Sequence, residues 1–340
     1  MSAHASPIRQ WIAPDRNTFE TQIAPLGCPA WLRGVVDRWP CVRAGGAPAA
    51  IRAYYGQFDR GHPVDLAVSA PAHRGILSYD ESLTGFTFER RRAPLGAVLA
   101  LLERLDTLTD PPTIAVQSVL IEEALPGFAE QHPMPLLDAA VKPRLWVSNR
   151  GIVPAHFDDV ENLACVVAGR RRFTLLPMEQ VRNLYVGPLD HTPTGVPVSL
   201  VDFTRPDGSA HPRFNEALAH ATVAELEPGD ALYIPPLWWH HVQSLEPVNI
   251  LVNYWWGGSI GDLEKPQTSG LDALFLALLT IKDLPVAQRQ AWREIFQQYV
   301  FQAHGDPVAH LPAERQGIAG PLGAALKRHI KDRLIRHLLR

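Results

Sequence analysis

Short apolar segments separated by turn residues run through the chain from about residue 143 to 257. The segments that read as strands are 144–148, 163–167, 172–176, 222–226, 231–234 and 249–255. Turn-forming sequences of proline, glycine and aspartate lie between them, as at 206–208 and 228–230. Proline is frequent, with 31 residues, or roughly 9% against a usual ~5%. Many short strands joined by such turns are typical of a β-sandwich or β-barrel.

The chain on either side of this region has a different character. Residues 1 to about 110 are mixed, with helical periodicity at 48–55 and 95–105 and a strand-like segment at 64–69; 113–122 reads as a further strand. After Gly257 and Gly258, apolar residues recur at helical spacing. We therefore predict a mainly β core with helical N-terminal elements and a helical C-terminal extension, divided at 1–257 and 258–340.

Two patterns in the extension predict how it packs. Residues 271–281 are apolar nearly all round, which predicts burial in the core or against another subunit. A homodimer is the simplest arrangement that covers such helices. The basic segment 327–340 carries an apolar stripe at helical spacing, so its charges are interpreted as the solvated face of an amphipathic helix.

Composition excludes several classes of protein. No apolar run approaches the about 20 residues of a membrane span, and the N-terminus lacks the basic and apolar regions of a signal peptide. The three cysteines have no CxxC spacing, which argues against a disulfide framework or a thiolate zinc site. The formal net charge of −3 makes nucleic acid an unlikely partner. We expect a cytoplasmic protein.

A candidate metal site begins at His156 and Asp158. Two residues apart on a strand, their side chains would point to the same face. His240 or His241, which follow an aromatic run and a Pro-Pro turn, could supply a third ligand. Two histidines and a carboxylate on one face of an octahedron leave positions for a bidentate cosubstrate and dioxygen, as in non-haem Fe(II) oxygenases.

His-x-Asp alone is a weak signal. A second copy at 304–306 lies in a predicted turn. The alternative without a metal is that His156 and Asp158 lie on a surface strand with polar residues facing outward.

Further polar residues fit the same pocket. Asn162 continues the even-numbered face of His156 and Asp158, and Asn253 could donate an amide hydrogen bond, although a core asparagine is equally plausible. The segment 166–177 predicts a hairpin turning at Gly169, which would return one arginine of the run 170–172 beside the His156 strand. An arginine there could bind a carboxylate in bidentate geometry; the alternative is a charged turn facing solvent.

The sequence resembles the cupin-like JmjC family from about residue 15 to 257. The resemblance is carried by 33–40, 154–158, Gly169 with its basic run, and 227–241. It implies a double-stranded β-helix (cupin or jelly-roll) core and an Fe(II)/2-oxoglutarate-dependent dioxygenase. Such an enzyme hydroxylates an unactivated C–H bond of a protein side chain or small molecule and releases succinate and CO2.

Site residues follow from the resemblance position by position. His156, Asp158 and the first histidine of the Trp-Trp-His-His motif, His240, match the metal ligands. The family's cosubstrate lysine corresponds to Arg171. Asn162 and Asn253 match positions that line the cosubstrate pocket, and Gln117 resembles a substrate-side glutamine. Apart from the family match, the tryptophan pairs 238–239 and 255–256 would line the pocket, with Trp239 on the substrate side; for two of the four, a role as core aromatics is at least as plausible.

Two positions depart from the family pattern. Val153 replaces a hydroxyl residue that contacts the cosubstrate carboxylate, and Ala115 replaces an aromatic hydroxyl. These changes suggest that the carboxylate is held differently or that the cosubstrate is altered. Two other functions therefore remain open: a non-catalytic binding protein with the cupin fold, and a 2-oxoglutarate-independent cupin metalloenzyme that uses Zn or Mn.

Overall fold

The structure is a computed structural model that describes residues 6–258 and 269–339. The chain divides into two compact units, Met1–Gln267 and Thr268–Arg340. The division predicted from the sequence, at 257/258, lies just before the stretch 259–268, which is outside the described residues.

Strands make up most of the first unit. They are β1 (Ser6–Pro7), β2 (Arg9–Ile12), β3 (Ala30–Arg33), β4 (Pro63–Ser69), β5 (Phe88–Pro94), β6 (Thr113–Leu120), β7 (Pro143–Ser148), β8 (Gly151–His156), β9 (Glu161–Ala168), β10 (Arg171–Leu176), β11 (Thr222–Leu226), β12 (Ala231–Ile234), β13 (Trp239–Ser244) and β14 (Asn249–Trp256). All six strands predicted between 143 and 257 are present, with bounds that differ by two residues at most.

Helices connect these strands and make up the second unit. They are α1 (Arg16–Thr18), α2 (Pro40–Arg43), α3 (Pro48–Tyr55), α4 (Leu95–Leu105), α5 (Ile121–Ala124), α6 (Phe128–Gln131), α7 (Phe214–Ala219), α8 (Gly270–Ile281), α9 (Val286–Tyr299) and α10 (Ala324–Leu338). The helices predicted at 48–55 and 95–105 are confirmed. Among the described residues, no helix combines the length and apolarity needed to cross a membrane.

The strands of the first unit form two sheets that face each other. One has the order β1-β11-β10-β13-β8, and the other has the order β2-β3-β12-β9-β14-β7-β6-β4-β5. Buried side chains from both sheets meet between them, including Val166 and Leu251 from the larger sheet and Phe173 and Leu226 from the smaller one. This double-sheet packing confirms the predicted mainly β, jelly-roll class.

The predicted hairpin at 166–177 is wrong, because β9 and β10 belong to different sheets. Gly169 turns the chain with φ +70°, a conformation that favours glycine. A Cβ at this position would collide with the Asn249 side chain and the Val248 carbonyl. The tight turn carries the chain across to the other sheet, where β10 pairs with β11 and β13. β13 therefore lies between β10 and β8.

Three smaller predictions also need correction. The strand predicted at 113–122 ends at Leu120, and α5 begins at Ile121. His156 is the last residue of β8, so Asp158 lies beyond the strand. For residues 271–281, the alternative of burial in the core is wrong, because α8 has no buried residue among those described and Leu279 is 72% exposed; burial against another subunit stays a prediction.

Candidate metal and anion site

Two antiparallel strands bring His156 and His240 together. β8 pairs with β13 so that the two histidines are direct cross-strand partners, and their ring centroids lie 4.2 Å apart. Asp158 joins them from the loop after β8, where its carbonyl accepts a hydrogen bond of 2.7 Å from the Leu237 N–H. One ligand atom from each of His156, Asp158 and His240 lies within 4.8 Å of the others.

Backbone hydrogen bonds orient both imidazoles. The Nδ1 atom of His156 lies 2.8 Å from the Pro154 carbonyl, and that of His240 lies 3.0 Å from the Trp238 carbonyl. Because a carbonyl can only accept, each neutral ring carries its proton on Nδ1 and leaves the Nε2 lone pair free. His240 Nε2 is 3.7 Å from Asp158 Oδ2, so the free nitrogen faces the carboxylate.

Burial shifts the pKa values of His156, Asp158 and His240. It lowers the pKa of both His156 and His240 to about 4, so the imidazoles are neutral near pH 7, as metal ligation requires. Burial raises the pKa of Asp158. Two neutral nitrogens and one carboxylate oxygen converging on one point can hold a divalent transition metal.

His241 lies on the other side of its strand. A β-bulge follows His240, and the His241 ring stacks on Phe203 with a centroid distance of 4.6 Å and an interplanar angle of 8°. The structure thus places His240, and not His241, beside His156 and Asp158.

A cavity of about 310 Å³ opens beside these residues. It contains seven of the positions that the sequence singled out: Gln117, His156, Asp158, Asn162, Arg171, His240 and Asn253. Val153 also lines it.

Trp239, predicted on the substrate side, does not line this cavity. Its side chain is fully buried and packs edge-on against Phe157. Of the other tryptophans in the two predicted pairs, only Trp255 reaches the cavity. Trp238 instead donates to the Gly27 carbonyl, and Trp256 packs against Phe19.

Arg171 is a buried cation in the cavity wall. Its side chain is 6% exposed, its Nε has no hydrogen-bond partner, and within the described part of the chain no carboxylate pairs with it. Burial lowers the pKa of Arg171 to about 10. The neighbouring Arg170 and Arg172 lie on the exposed side and form ion pairs with Glu225, Arg170 also with Glu246. An unpaired buried guanidinium is costly unless an anion joins it.

A chain of amides leads from the cavity wall to the carboxylate. The Trp146 indole donates to Asn253 Oδ1 over 2.7 Å, and Asn253 Nδ2 donates to Asn162 Oδ1 over 3.3 Å. Asn162 Nδ2 completes the chain with a long contact of 3.5 Å to Asp158 Oδ2. The wall between Trp146 and Asp158 is therefore oriented by side-chain hydrogen bonds.

Other lining residues escaped the sequence analysis: Arg90, Ser118, Trp146, Thr194 and Val196. The run of three arginines at 90–92, unusual in a strand, was a local signal for Arg90. Ser118 has φ 56° at a β-bulge in β6, where the register with β7 shifts. Bulges of this kind redirect side chains beside functional sites, and nothing local marks their position.

The family model described as Cupin-like domain matches residues 16–262. HSPB1-associated protein 1 of Homo sapiens is 35% identical over 113 residues, which is 33% of this chain and 22% of that protein. Lysine-specific demethylase 8 of Xenopus tropicalis is 24% identical over 67% of this chain and 48% of its own length. Jumonji C domain-containing protein 5 of Drosophila melanogaster is 24% identical over 73% of this chain and 59% of its own.

The chain thus spans between about a fifth and three fifths of these relatives. Relatives named for the Jumonji C domain and for lysine demethylation are among them.

Proposed function

Because the chain belongs to the cupin-like domain family, confirming the resemblance to cupin-like JmjC proteins, we propose that it is an Fe(II)- and 2-oxoglutarate-dependent oxygenase. The reaction would hydroxylate a protein side chain or a small molecule and release succinate and CO2. Relatives of this family named as demethylases support the class of chemistry.

His156, Asp158 and His240 would hold the iron through the two Nε2 atoms and one carboxylate oxygen. Fe(II) in a site of this type supplies the redox chemistry that activates dioxygen. The chain contributes orientation: the Pro154 and Trp238 carbonyls hold the imidazoles, and the Leu237 N–H holds the Asp158 loop.

Arg171 would bind the distal carboxylate of 2-oxoglutarate, with Asn162 and Asn253 lining the cosubstrate pocket. The observation that carries the proposal is this buried guanidinium, unpaired in the described residues and lining the same cavity as the three candidate ligands. An anionic cosubstrate would supply the partner that this guanidinium lacks. Arginine also presents two parallel donors to a carboxylate, which offsets the loss of hydroxyl partners at Val153 and Ala115.

The test is an anaerobic titration of metal-free protein with Fe(II) and 2-oxoglutarate, followed by the visible metal-to-ligand charge-transfer band. We expect the band in the wild-type protein and its loss in His156→Ala and Arg171→Ala. Arg171→Ala should still bind the metal. Arg172→Ala, which removes an exposed and paired arginine, is the matched control and should retain the band.

Two results would favour the other functions. Iron binding without the band in the wild-type protein would indicate a cupin metalloenzyme that does not use 2-oxoglutarate. Absence of both iron and 2-oxoglutarate binding would indicate a binding protein that retains the fold.

We further propose that the second unit mediates a homodimer through its helices α8 and α9. Large apolar side chains of α8 and α9 remain exposed, among them Leu274 at 41%, Leu279 at 72% and Trp292 at 40%. Covering such side chains with a second copy would remove apolar area from water.

A further inference from the structure

We infer that the mouth of the cavity, meaning the part around the exposed Arg90 and the neighbouring Thr194, selects substrates that carry a negatively charged group, a carboxylate or a phosphate, and that Arg90 binds this group. The inference deepens the proposed function and rests on it. It concerns the substrate side of the cavity, for which the metal and cosubstrate residues give no direct information.

The charges of the cavity leave a positive surplus. Its ionisable lining residues are Arg90, His156, Asp158, Arg171 and His240. When a divalent metal and a dicarboxylate are bound and both histidines are neutral, the negative charges of Asp158 and the dicarboxylate equal the positive charges of the metal and one arginine. The positive charge of the second arginine is then not balanced. The buried Arg171 is the arginine proposed to pair with the dicarboxylate, so the unbalanced charge is that of the exposed Arg90.

The sheet directs Arg90 toward the cavity. Arg90 on β5 is the cross-strand partner of Ala67 on β4, and Ala67 is the partner of Ala115 on β6. Direct partners point to the same face of a sheet. Two alanines in this row leave room for a long side chain to extend over that face. One guanidinium nitrogen, Nη2, donates to the Pro193 carbonyl over 3.0 Å, next to Thr194 in the cavity wall.

The neighbouring arginines are already occupied. Arg91 pairs with Glu89 at 2.9 Å, and Arg92 pairs with Asp65 at 3.2 Å. Within the described ranges, 6–258 and 269–339, no carboxylate lies within 4.0 Å of the Arg90 guanidinium. Arg90 therefore has N–H groups available to an anionic ligand, whereas Arg91 and Arg92 form ion pairs on the protein surface.

A second guanidinium, that of Arg144, contacts two residues of the cavity wall, Ser118 and Trp255. Arg144 donates to the carbonyl and hydroxyl of Ser118, at 3.0 and 3.2 Å, and lies over the Trp255 ring at 5.4 Å. These contacts hold the bulge that presents Gln117. Burial lowers the pKa of Arg144, and the Glu123 carboxylate acts against this effect.

The size of the cavity indicates where the anionic group sits. A volume of about 310 Å³ is at the lower limit of typical ligand sites, ~300–1,000 Å³. Beside a dicarboxylate, only a group of side-chain size can enter. The reacting carbon would therefore reach inward while the charged group stays at the mouth with Arg90.

The test measures the binding of size-matched probes of different charge to protein loaded with Mn(II) and 2-oxoglutarate, by paramagnetic broadening of the probe protons in NMR spectra. The probe pairs are the α-amides of N-acetyl-aspartate and N-acetyl-asparagine, the α-amides of N-acetyl-phosphoserine and N-acetyl-serine, and capped pentaglycines with Asp or Asn at the centre. The pentapeptide and single-residue pairs separate a protein substrate from a small molecule, and the second pair separates phosphate from carboxylate.

We expect the anionic member of at least one pair to bind about three- to tenfold more tightly, because an exposed or partly desolvated charge pair contributes modestly to affinity. Arg90→Gln should reduce this preference to less than about twofold. Arg91→Gln, on the same strand, should retain it. The preference should also weaken as the salt concentration rises.

Equal binding of charged and neutral probes by the wild-type protein, or no binding of either, would overturn the inference, as would a preference that survives in Arg90→Gln. Mn(II) and 2-oxoglutarate affinities measured on the same samples separate this failure from a failure of the proposed function. If they are normal, only the charge selection is wrong; if the wild-type protein binds neither, both proposals fail.

Discussion

At the scale of single residues, two adjacent buried histidines have different neighbours, and the family resemblance, not the residue type, distinguished them in the sequence. His240 faces His156 across the strand pair, whereas His241 stacks on Phe203 and its Nδ1 has no hydrogen-bond partner. Because successive side chains of a strand point to opposite faces, His240 is a candidate metal ligand whereas His241 packs against Phe203.

Substitution of these two histidines should therefore separate metal binding from stability. We expect His240→Ala to weaken metal affinity by about 100-fold or more, because loss of even a supporting residue commonly costs ~10–100-fold. His241→Ala should keep metal affinity within about threefold while lowering the free energy of unfolding by about 2–4 kcal/mol. Calorimetric metal titration and urea denaturation measure the two effects, and an equal loss of metal affinity in both variants would contradict the assignment of His240.

Arg171 should reduce the stability of the ligand-free protein. Burial lowers its pKa to about 10, which means that the folded state disfavours the charge. We expect Arg171→Met to raise the free energy of unfolding by about 1–3 kcal/mol in the absence of ligands and to abolish 2-oxoglutarate binding. Arg172→Met should change stability by less than about 0.5 kcal/mol. Urea denaturation measures these effects, and destabilisation by Arg171→Met would show that the guanidinium has a structural role.

At the scale of secondary-structure elements, His132 joins three short helices. It follows α6, where its Nδ1 lies 2.6 Å from the Phe128 carbonyl, and its ring stacks on Phe128. Its Nε2 accepts from the Cys41 N–H of α2 and lies 3.0 Å from the Tyr54 hydroxyl of α3. These bonds require the neutral ring, since protonation of Nε2 would remove both acceptor contacts.

The pH dependence of stability should include this residue. Burial lowers the pKa of His132 below 6.5, so the unfolded chain binds more protons than the folded one as the pH falls below about 6.5. Stability therefore decreases with falling pH.

We expect His132→Gln to be less stable at pH 7 by about 1–2 kcal/mol but to lose less stability between pH 7 and pH 5 than the wild-type protein. Part of the wild-type loss should remain, because burial also lowers the pKa of His156 and His240. His62→Gln, at an exposed position, should follow the wild-type profile. Urea denaturation at several pH values would contradict the assignment if His132→Gln and the wild-type protein had the same slope.

At the scale of the whole molecule, the two units differ in how well they bury apolar residues. The first unit has a continuous buried core. In the second, α8 and α9 have no buried residue among those described. This contrast is the basis of the proposed dimer.

Sedimentation equilibrium of the full chain should give a dimer at micromolar concentration. We expect Leu279→Glu, which places a charge on an exposed apolar position of α8, to weaken association by at least tenfold, because a charge buried at an apolar interface costs more than about 1.4 kcal/mol. Gln288→Glu on α9 adds the same charge at a polar position and should associate normally. A wild-type monomer at tens of micromolar would contradict the dimer.

The residue pattern over short stretches of the sequence determined where the strands lie and which residue types form the candidate metal site. Apolar periodicity and turn residues located the strands between 143 and 257 because both signals act over a few neighbouring residues. The residue types and spacing of His156, Asp158 and the 238–241 motif also indicated a metal site. The structure places His156, Asp158 and His240 within ligating distance of one another.

Tertiary structure alone decided which segments meet. The residue pattern of 166–177 predicted β9 and β10 in one hairpin, yet Gly169 carries the chain between sheets. Trp239 was predicted at the pocket and Arg90 was not, because lining a cavity depends on strand pairing between distant parts of the chain. Strand pairing is non-local, and a shift of one residue reverses the face to which every side chain points. For that reason the chemistry of the site could be predicted from the sequence, whereas the shape and charge of its mouth could not.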